Sequence, residues 1–430
     1  MHTILFIFYS LVCGFAIVRM PFIRNSRIRP TLLLLLFALH VFTGLAHNII
    51  AYRYYPEHGD IWDNFWKSFM YRHRLVSDFG TFLANNASWT HVSHNGLIFI
   101  QMILNVFSFD HLDINTLLFS FPVFLGNIAL FRVFRHRFPD DLITAGAVFL
   151  LPSILFWTSC IHREGILYML IGFLLLGLHR MITGEYTRLR LLRSIGCFLL
   201  IFYFRSAMAL TLLPAVFIWL SLEKPRARPL LWKVAAAASG FAILLVLLLP
   251  GFHLPATLAS WQKEFYNLEG HSRLPLPELD GSWASLLRIL PPAVFNGFFQ
   301  PLPGSGGQPI YLAFSIELLA IWTIVLLALL RRTIGAPLRR TTGAPLPWAP
   351  VRLPPVRLPP VRLPFSIFCL LFSLTGMLLV GMFIPFAGAI VRYRSIYLLF
   401  LLAPFLHALC ITRPLTKLNA WLSRHALNKL

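Results

Sequence analysis

IGCFLLIFYFRSAMALTLLPAVFIWLSL, residues 195–222, is a continuous apolar run with one charge, Arg205, near its middle. Basic clusters flank it on both sides, RLRLLRS (188–194) before it and EKPRARPLLWK (223–233) after it. A helix needs roughly 20 apolar residues to cross a bilayer, and the cytoplasmic ends of such helices collect Lys and Arg. A single crossing cannot have two cytoplasmic ends. The run therefore reads as a tight hairpin of two spans with Arg205 near its outer tip, and that decision orders the rest of the chain.

Composition supports the same class. Of 430 residues, 57% are hydrophobic and 12% charged, with a mean hydropathy of +0.72. No soluble domain of this length has such a balance, so the chain reads as an all-α polytopic membrane protein. The net charge of +21 would suit nucleic-acid binding, but the cations lie in short clusters between apolar runs. Positive-inside topology accounts for them, and nucleic acid is not expected as a partner. The clusters at 19–30, 132–141, 180–194, 223–233, 331–363 and from 412 onward hold 26 of the 37 Lys and Arg residues but only Asp140, Asp141, Glu185 and Glu223 of the 16 acids.

Placing every cluster in the cytoplasm predicts spans near 3–18, 31–51, 115–131, 142–160, 165–181, 231–250, 310–330, 365–384 and 395–411. With the hairpin counted as two, the total is about 11 transmembrane helices, amino terminus outside and carboxyl terminus inside. The first run carries its charges after the apolar stretch, which fits an anchor better than a signal peptide. HNGLIFIQMILNVFSF (94–109) carries His94, Asn95, Gln101 and Asn105; counting it as a crossing would move a basic cluster outside. It reads as an interfacial or re-entrant helix in the first outer loop. Residues 1–411 thus form a single polytopic domain with long outer loops at 52–114 and 251–309. The stretch 331–363 is a cytoplasmic linker whose VRLPP repeats favour extended polyproline geometry, and 412–430 is a basic cytoplasmic tail.

With the sides assigned, polar residues collect outside. The first outer loop opens with YRYYPEHGDIWDNFWKSFMYRHR, in which Asp60 and Asp63 sit among aromatics dense enough to lie along a bilayer surface. SCIHREGI (159–166) sets His162, Arg163 and Glu164 between two spans. Arg205 tips the hairpin, and FAGAIVRYRS places Arg392, Tyr393 and Arg394 at the head of the last span. Plain accounts exist for each: solvated loop acids, snorkelling arginines, or an Arg163–Glu164 pair that pins two helix ends. Charges at a membrane boundary are nonetheless expensive enough to be functional candidates. The five cysteines fall in or beside apolar runs without metal-ligand spacing, so neither a disulfide nor a zinc framework is expected.

Such a face suits glycosyl transfer from a polyprenyl-phosphate sugar. A carboxylate takes the proton from the acceptor hydroxyl, and cations hold the departing phosphate. Arginine serves the second role because its planar fork donates two hydrogen bonds to phosphate oxygens and keeps its charge. No Gly-rich nucleotide loop appears in the basic segments, which argues against a nucleotide-driven pump.

The order of elements resembles the GT-C superfamily of polytopic membrane glycosyltransferases. HGDIWDNF follows the span at 31–51, the segment 94–109 matches the surface helix of that pattern, and PSILFWTSCIHREG resembles the P-S-x-x-F-W-x-S-G-x-x-K-[DE] motif of bacterial membrane glycosyltransferases and polysaccharide polymerases. LPPAVFNGFFQPLP and FAGAIVRYRSIYLLFLLAPF look like later parts of the same group. Cys160 stands where that motif has Gly, and Arg163 where Lys is usual. The resemblance implies Asp60 as catalytic base, Asp63 as second candidate, and a substrate-binding rim that includes His162, Arg163 and Glu164; Arg205, Arg392, Tyr393 and Arg394 join it from the outer-face reading.

The expected activity is an inverting hexosyltransferase in a bacterial inner membrane. It would use a lipid-linked sugar donor and a glycan or lipid acceptor, with its active face extracytoplasmic and membrane lipids around it. An O-antigen or exopolysaccharide polymerase is the alternative enzyme, and a lipid-linked sugar flippase or an envelope scaffold the alternatives of other classes. No residue set is assigned to a metal; Asp60, Asp63 and Glu164 could hold a divalent cation together with phosphate oxygens.

Overall fold

Apolar runs of this length satisfy their backbone N–H and C=O groups away from water by forming α-helices. The computed structural model describes residues 2–54, 59–77, 92–138, 141–223, 240, 253–268, 272–304, 309–335 and 363–409. An isolated β-bridge joins Arg273 and Phe386. The helices are α1 (His2–Arg19), α2 (Pro21–Arg24), α3 (Pro30–Tyr54), α4 (Gly59–Ser77), α5 (Val92–Ser108), α6 (Leu112–Arg137), α7 (Asp141–Phe149) and α8 (Pro152–Thr158). They continue as α9 (Arg163–Ile182), α10 (Arg188–Phe204), α11 (Ser206–Leu222), α12 (Leu254–Tyr266), α13 (Trp283–Phe299), α14 (Pro309–Gly335), α15 (Leu363–Phe383) and α16 (Ala387–Leu409).

Seven of these, α1, α3, α6, α9, α14, α15 and α16, are long and apolar enough to cross a membrane, the make-up of a polytopic helical membrane protein. They coincide with seven of the expected spans. On α1 the side chains of Ile4, Ile7, Phe8, Leu11, Val12 and Phe15 all face outward, an apolar surface that water would not tolerate. The expected span at 231–250, apart from Gly240, lies outside the described residues, as do 336–362 of the linker and the tail 412–430.

Three expectations are corrected. The span at 142–160 is not one helix: the chain breaks between α7 and α8, where Leu151 is extended (φ −63°, ψ 118°) and Pro152 opens the next helix. The residue before proline is driven out of the α region by the pyrrolidine ring. The last span does not begin at 395, because α16 starts at Ala387 and carries Arg392, Tyr393 and Arg394 inside it. The outer segment 251–309 is not mainly loop but contains α12 and α13, the latter continuous through Pro291 and Pro292.

The run 195–222 breaks at Arg205, between two helices of 17 residues each, neither of them among the seven long enough to cross. α10, capped by the Thr187 hydroxyl accepting from the Arg190 N–H at 3.2 Å, ends at Phe204. Arg205 is extended (φ −159°, ψ 91°), and α11 begins at Ser206.

The chain forms two compact units. Of the described residues, the first comprises those up to Phe134 and Val148–Ala209; the second comprises Arg135–Ala147 and those from Leu210 to Leu409. Within the first, α3 packs on α4 and α8, α4 on α5, and α10 on α5 and α9. In the second, α13 and α16 both pack on α15, with α12 on α15 and α14 on α16. Its core is aromatic: Trp219, Phe365, Phe368, Phe372 and Phe400 are fully buried, and Phe365, Phe368 and Phe372 stack in succession.

Contacts join segments that charge had placed on the same side. Arg132 donates to the Phe22 carbonyl at 3.4 Å and Arg137 pairs with Glu223 at 2.8 Å, each linking two of the basic clusters. The Ala387 N–H donates to the Ser272 carbonyl at 3.0 Å, linking two segments read from the sequence as outer.

Candidate functional site

In the first unit α3, α6, α8 and α9 converge at the SCIHREGI turn, and α4 packs on α3. Gly44 of α3 permits the convergence: a Cβ there would meet the Ser159 carbonyl oxygen at 2.5 Å and Thr116 at 2.8 Å. Gly165 plays the same part for α9, where a Cβ would meet the Thr158 carbonyl oxygen at 2.8 Å. The Ser120 hydroxyl of α6 donates to the Ser159 carbonyl at 3.0 Å, fixing the bend between α8 and α9. The SCIHREGI stretch is thus a backbone turn clamped from two sides.

Glu164 occupies the first turn of α9, where the helix dipole favours a carboxylate. Its side chain is fully buried, and its Oε1 accepts from Arg205 Nη2 at 2.7 Å. Sequence reading offered Arg163 as the partner; the structure pairs Glu164 with the arginine at the break between α10 and α11. Neighbouring residues on a helix project in different directions, whereas Arg205 approaches from another element. Arg163 itself is half-buried and His162 buried.

Asp60 and Asp63 both lie on α4 and are exposed. Three residues apart, they share a helix face. Lys67, one turn on, holds the Asp63 carboxylate at 2.6 Å. Asp60 stands in the first turn of the helix. Trp62 Nε1, between the two acids in sequence, donates to the Asn48 carbonyl of α3 at 3.1 Å, and Asn48 Nδ2 donates to Thr116 Oγ1 of α6 at 2.9 Å.

Buried amides secure α4 from the other side. Asn105 of α5 donates to the Ser68 hydroxyl at 3.0 Å, and Asn115 of α6 donates to Asn105. Arg72 forms an ion pair with Asp110 in the turn after α5. Burial pushes the Asp110 carboxyl above its ordinary value even though Arg72, His111 and His73 pull it down. With Gln101 and Asn105 turned inward, α5 presents Phe99, Ile103, Val106 and Phe107 outward, the i, i+4, i+7, i+8 stripe of an amphipathic helix. On α4 the exposed stripe is Trp66, Phe69 and Met70.

Arg392, Tyr393 and Arg394 belong to the second unit. The Arg392 guanidinium lies over the Tyr393 ring at 5.6 Å from its centroid, and both side chains are half-buried. Arg394 is 1% exposed and donates through Nη1 to the Gly297 carbonyl at 3.1 Å and the Gln300 carbonyl at 2.5 Å. It caps the carboxyl end of α13, whose last carbonyls have no helical partner. Arg394→Met is expected to destabilise the protein by about 2–3 kcal/mol, the range for losing charged hydrogen bonds to buried acceptors, as measured by chemical unfolding in detergent. In the same unit Asp280 accepts from the Ser282 N–H at 2.8 Å, and hydrogen bonds from Ser282 and Ser285 lower its carboxyl to about 2.

The sequence missed one grouping. His47, Cys160 and His162 lie together and buried, their ligating atoms within 4.8 Å of one another. His47 sits three residues after Gly44 on α3, and the signal for it is the close helix approach that Gly44 allows. Comparison with protein-family models, curated proteins and solved structures finds no match to this chain.

Proposed function

We propose that the protein is a GT-C-like integral membrane glycosyltransferase with about 11 spans, seated in a bacterial inner membrane. It transfers a sugar from a polyprenyl-phosphate donor to an envelope glycan or lipid on the extracytoplasmic face. The observation that carries this reading is the pair of exposed carboxylates on α4, a helix whose outward stripe is aromatic and whose inward face is tied down by buried amides and an ion pair. A base fixed on a rigid surface helix can meet a substrate whose lipid tail stays in the bilayer.

In this reading Asp60 accepts the proton of the acceptor hydroxyl while that oxygen bonds to C1 of the donor sugar. The C1–O bond to phosphate breaks with its electron pair leaving on the polyprenyl phosphate, and the configuration at C1 inverts. Arg163 and the Glu164-paired Arg205 are the cations assigned to the phosphate charge. Asp63 is the second candidate, and Lys67 engages its carboxylate.

Asp60→Asn is expected to lower the transfer rate at least about 100-fold, the low end of a general base's contribution, with Asp63→Asn much milder. Product formed from a labelled lipid-linked donor by purified protein is the readout. Wild-type rates in both variants would overturn the base assignment, and movement of donor across vesicles with no glycosidic bond formed would replace the enzyme by a transporter.

A further inference from the structure

We infer that His47, Cys160 and His162 form a zinc(II) site in the first unit, with a ligand set other than the Asp60, Asp63 and Glu164 carboxylates and with His162 as a metal ligand instead of a substrate-binding residue. Two imidazoles and a thiol are the borderline-soft donor set that zinc prefers over calcium or magnesium. All three side chains are buried, at 2%, 0% and 3% exposure for His47, Cys160 and His162. Their donor atoms lie within 4.8 Å of one another. Tetrahedral zinc, with bonds of roughly 2.0–2.3 Å, requires a small inward movement from that spacing.

The local fold explains why these groups converge. His162 is the residue before the first turn of α9, with extended backbone (φ −129°, ψ 160°), yet its side chain makes no capping hydrogen bond to that helix. The ring turns instead to His47, the two centroids 5.3 Å apart and the planes nearly perpendicular. The His162 N–H donates to the Cys160 carbonyl at 2.7 Å, a tight turn that brings ligands two residues apart to one side. The third ligand comes from α3, held against the turn by Gly44.

A preorganised frame and a dry wall are what a metal site requires. Ser120 pins the turn through the Ser159 carbonyl. Phe156 and Trp157 pack on the His47 ring at centroid distances of 4.3 and 5.1 Å, and Trp157 also approaches His162 at 5.9 Å. The Cys160 thiol now points toward the Phe156 and Trp157 carbonyls at 3.6 and 3.7 Å, weak contacts that the ion would replace as the thiol proton leaves. Three protein ligands leave one tetrahedral position for water or a substrate oxygen.

The test uses the full chain, purified in detergent and stripped with a chelator, then titrated with zinc chloride against a chromophoric competitor. One zinc per chain is expected, bound below micromolar, with a zinc-dependent rise in the unfolding midpoint. Cobalt(II) should give a near-ultraviolet thiolate charge-transfer band. Cys160→Ser should remove that band and weaken zinc binding by about 100-fold or more, beyond what outer-shell changes cost. Cys13→Ser should leave both unchanged. Zinc binding by the wild type no stronger than by a His47→Gln/Cys160→Ser variant of normal elution volume would overturn the site. So would a cobalt band that survives Cys160→Ser.

Discussion

Arg205→Met is expected to destabilise the protein by about 3–5 kcal/mol, the cost of leaving a buried charge without its counterion. Glu164 is fully buried, and its carboxylate receives the Arg205 guanidinium at 2.7 Å across 41 residues of sequence. In low-dielectric surroundings the carboxylate either stays charged at high cost or takes up a proton, and both outcomes weaken the fold. The double variant Glu164→Leu/Arg205→Met should recover most of the loss, because an apolar pair of similar volume replaces a buried ion pair without a desolvation penalty. Chemical unfolding in detergent reads both variants. A loss below about 0.5 kcal/mol for the single change, the size of an ordinary surface substitution, would show that the pair does not hold the fold. The double variant also separates structural from functional roles: restored stability with lost glycosyl transfer would mean that the pair serves the substrate.

Gly381→Leu is expected to separate α13 from α15 and unfold much of the second unit. A Cβ at Gly381 would run into the Ala293 carbonyl oxygen and stand 2.7 Å from the Gly297 N–H nitrogen. Ala293 and Gly297 are four apart on α13, so they form a small-residue stripe that lets two backbones touch, the means by which helices associate in lipid. Because the obstruction is backbone rather than the end of a flexible side chain, even Gly381→Ala should cost about 1–3 kcal/mol, as overpacking does, with Val and Leu progressively worse. Arg394 compounds the effect by bonding to the Gly297 carbonyl of the same helix. Gly196→Ala is the control, since a Cβ there meets nothing within 4 Å. Alanine in that helix interior should stabilise by about 0.5–1 kcal/mol. Equal effects at the two positions would contradict the packing described for α13 and α15.

Hydropathy and charge order were enough to read the class, seven of the spans and the break at Arg205. The break inside 142–160 had its signal in Pro152, but an apolar run hides a proline kink when only its length is weighed. α13 was hidden for the opposite reason: its paired prolines look like loop, and its packing on α15 overrides that local signal.

The candidate site divides in the same way. Asp60 and Asp63 could be picked out one residue at a time, because an acid among interfacial aromatics is conspicuous on its own. That Glu164 pairs with Arg205 and not Arg163, that Arg394 is committed to the end of α13, and that His47 reaches Cys160 and His162 were not legible. Transfer from water to hydrocarbon acts on each side chain separately, so a linear sequence records it. A salt bridge or a ligand set depends on which distant backbones meet, and here glycines such as Gly44 decide that only once the helices are packed.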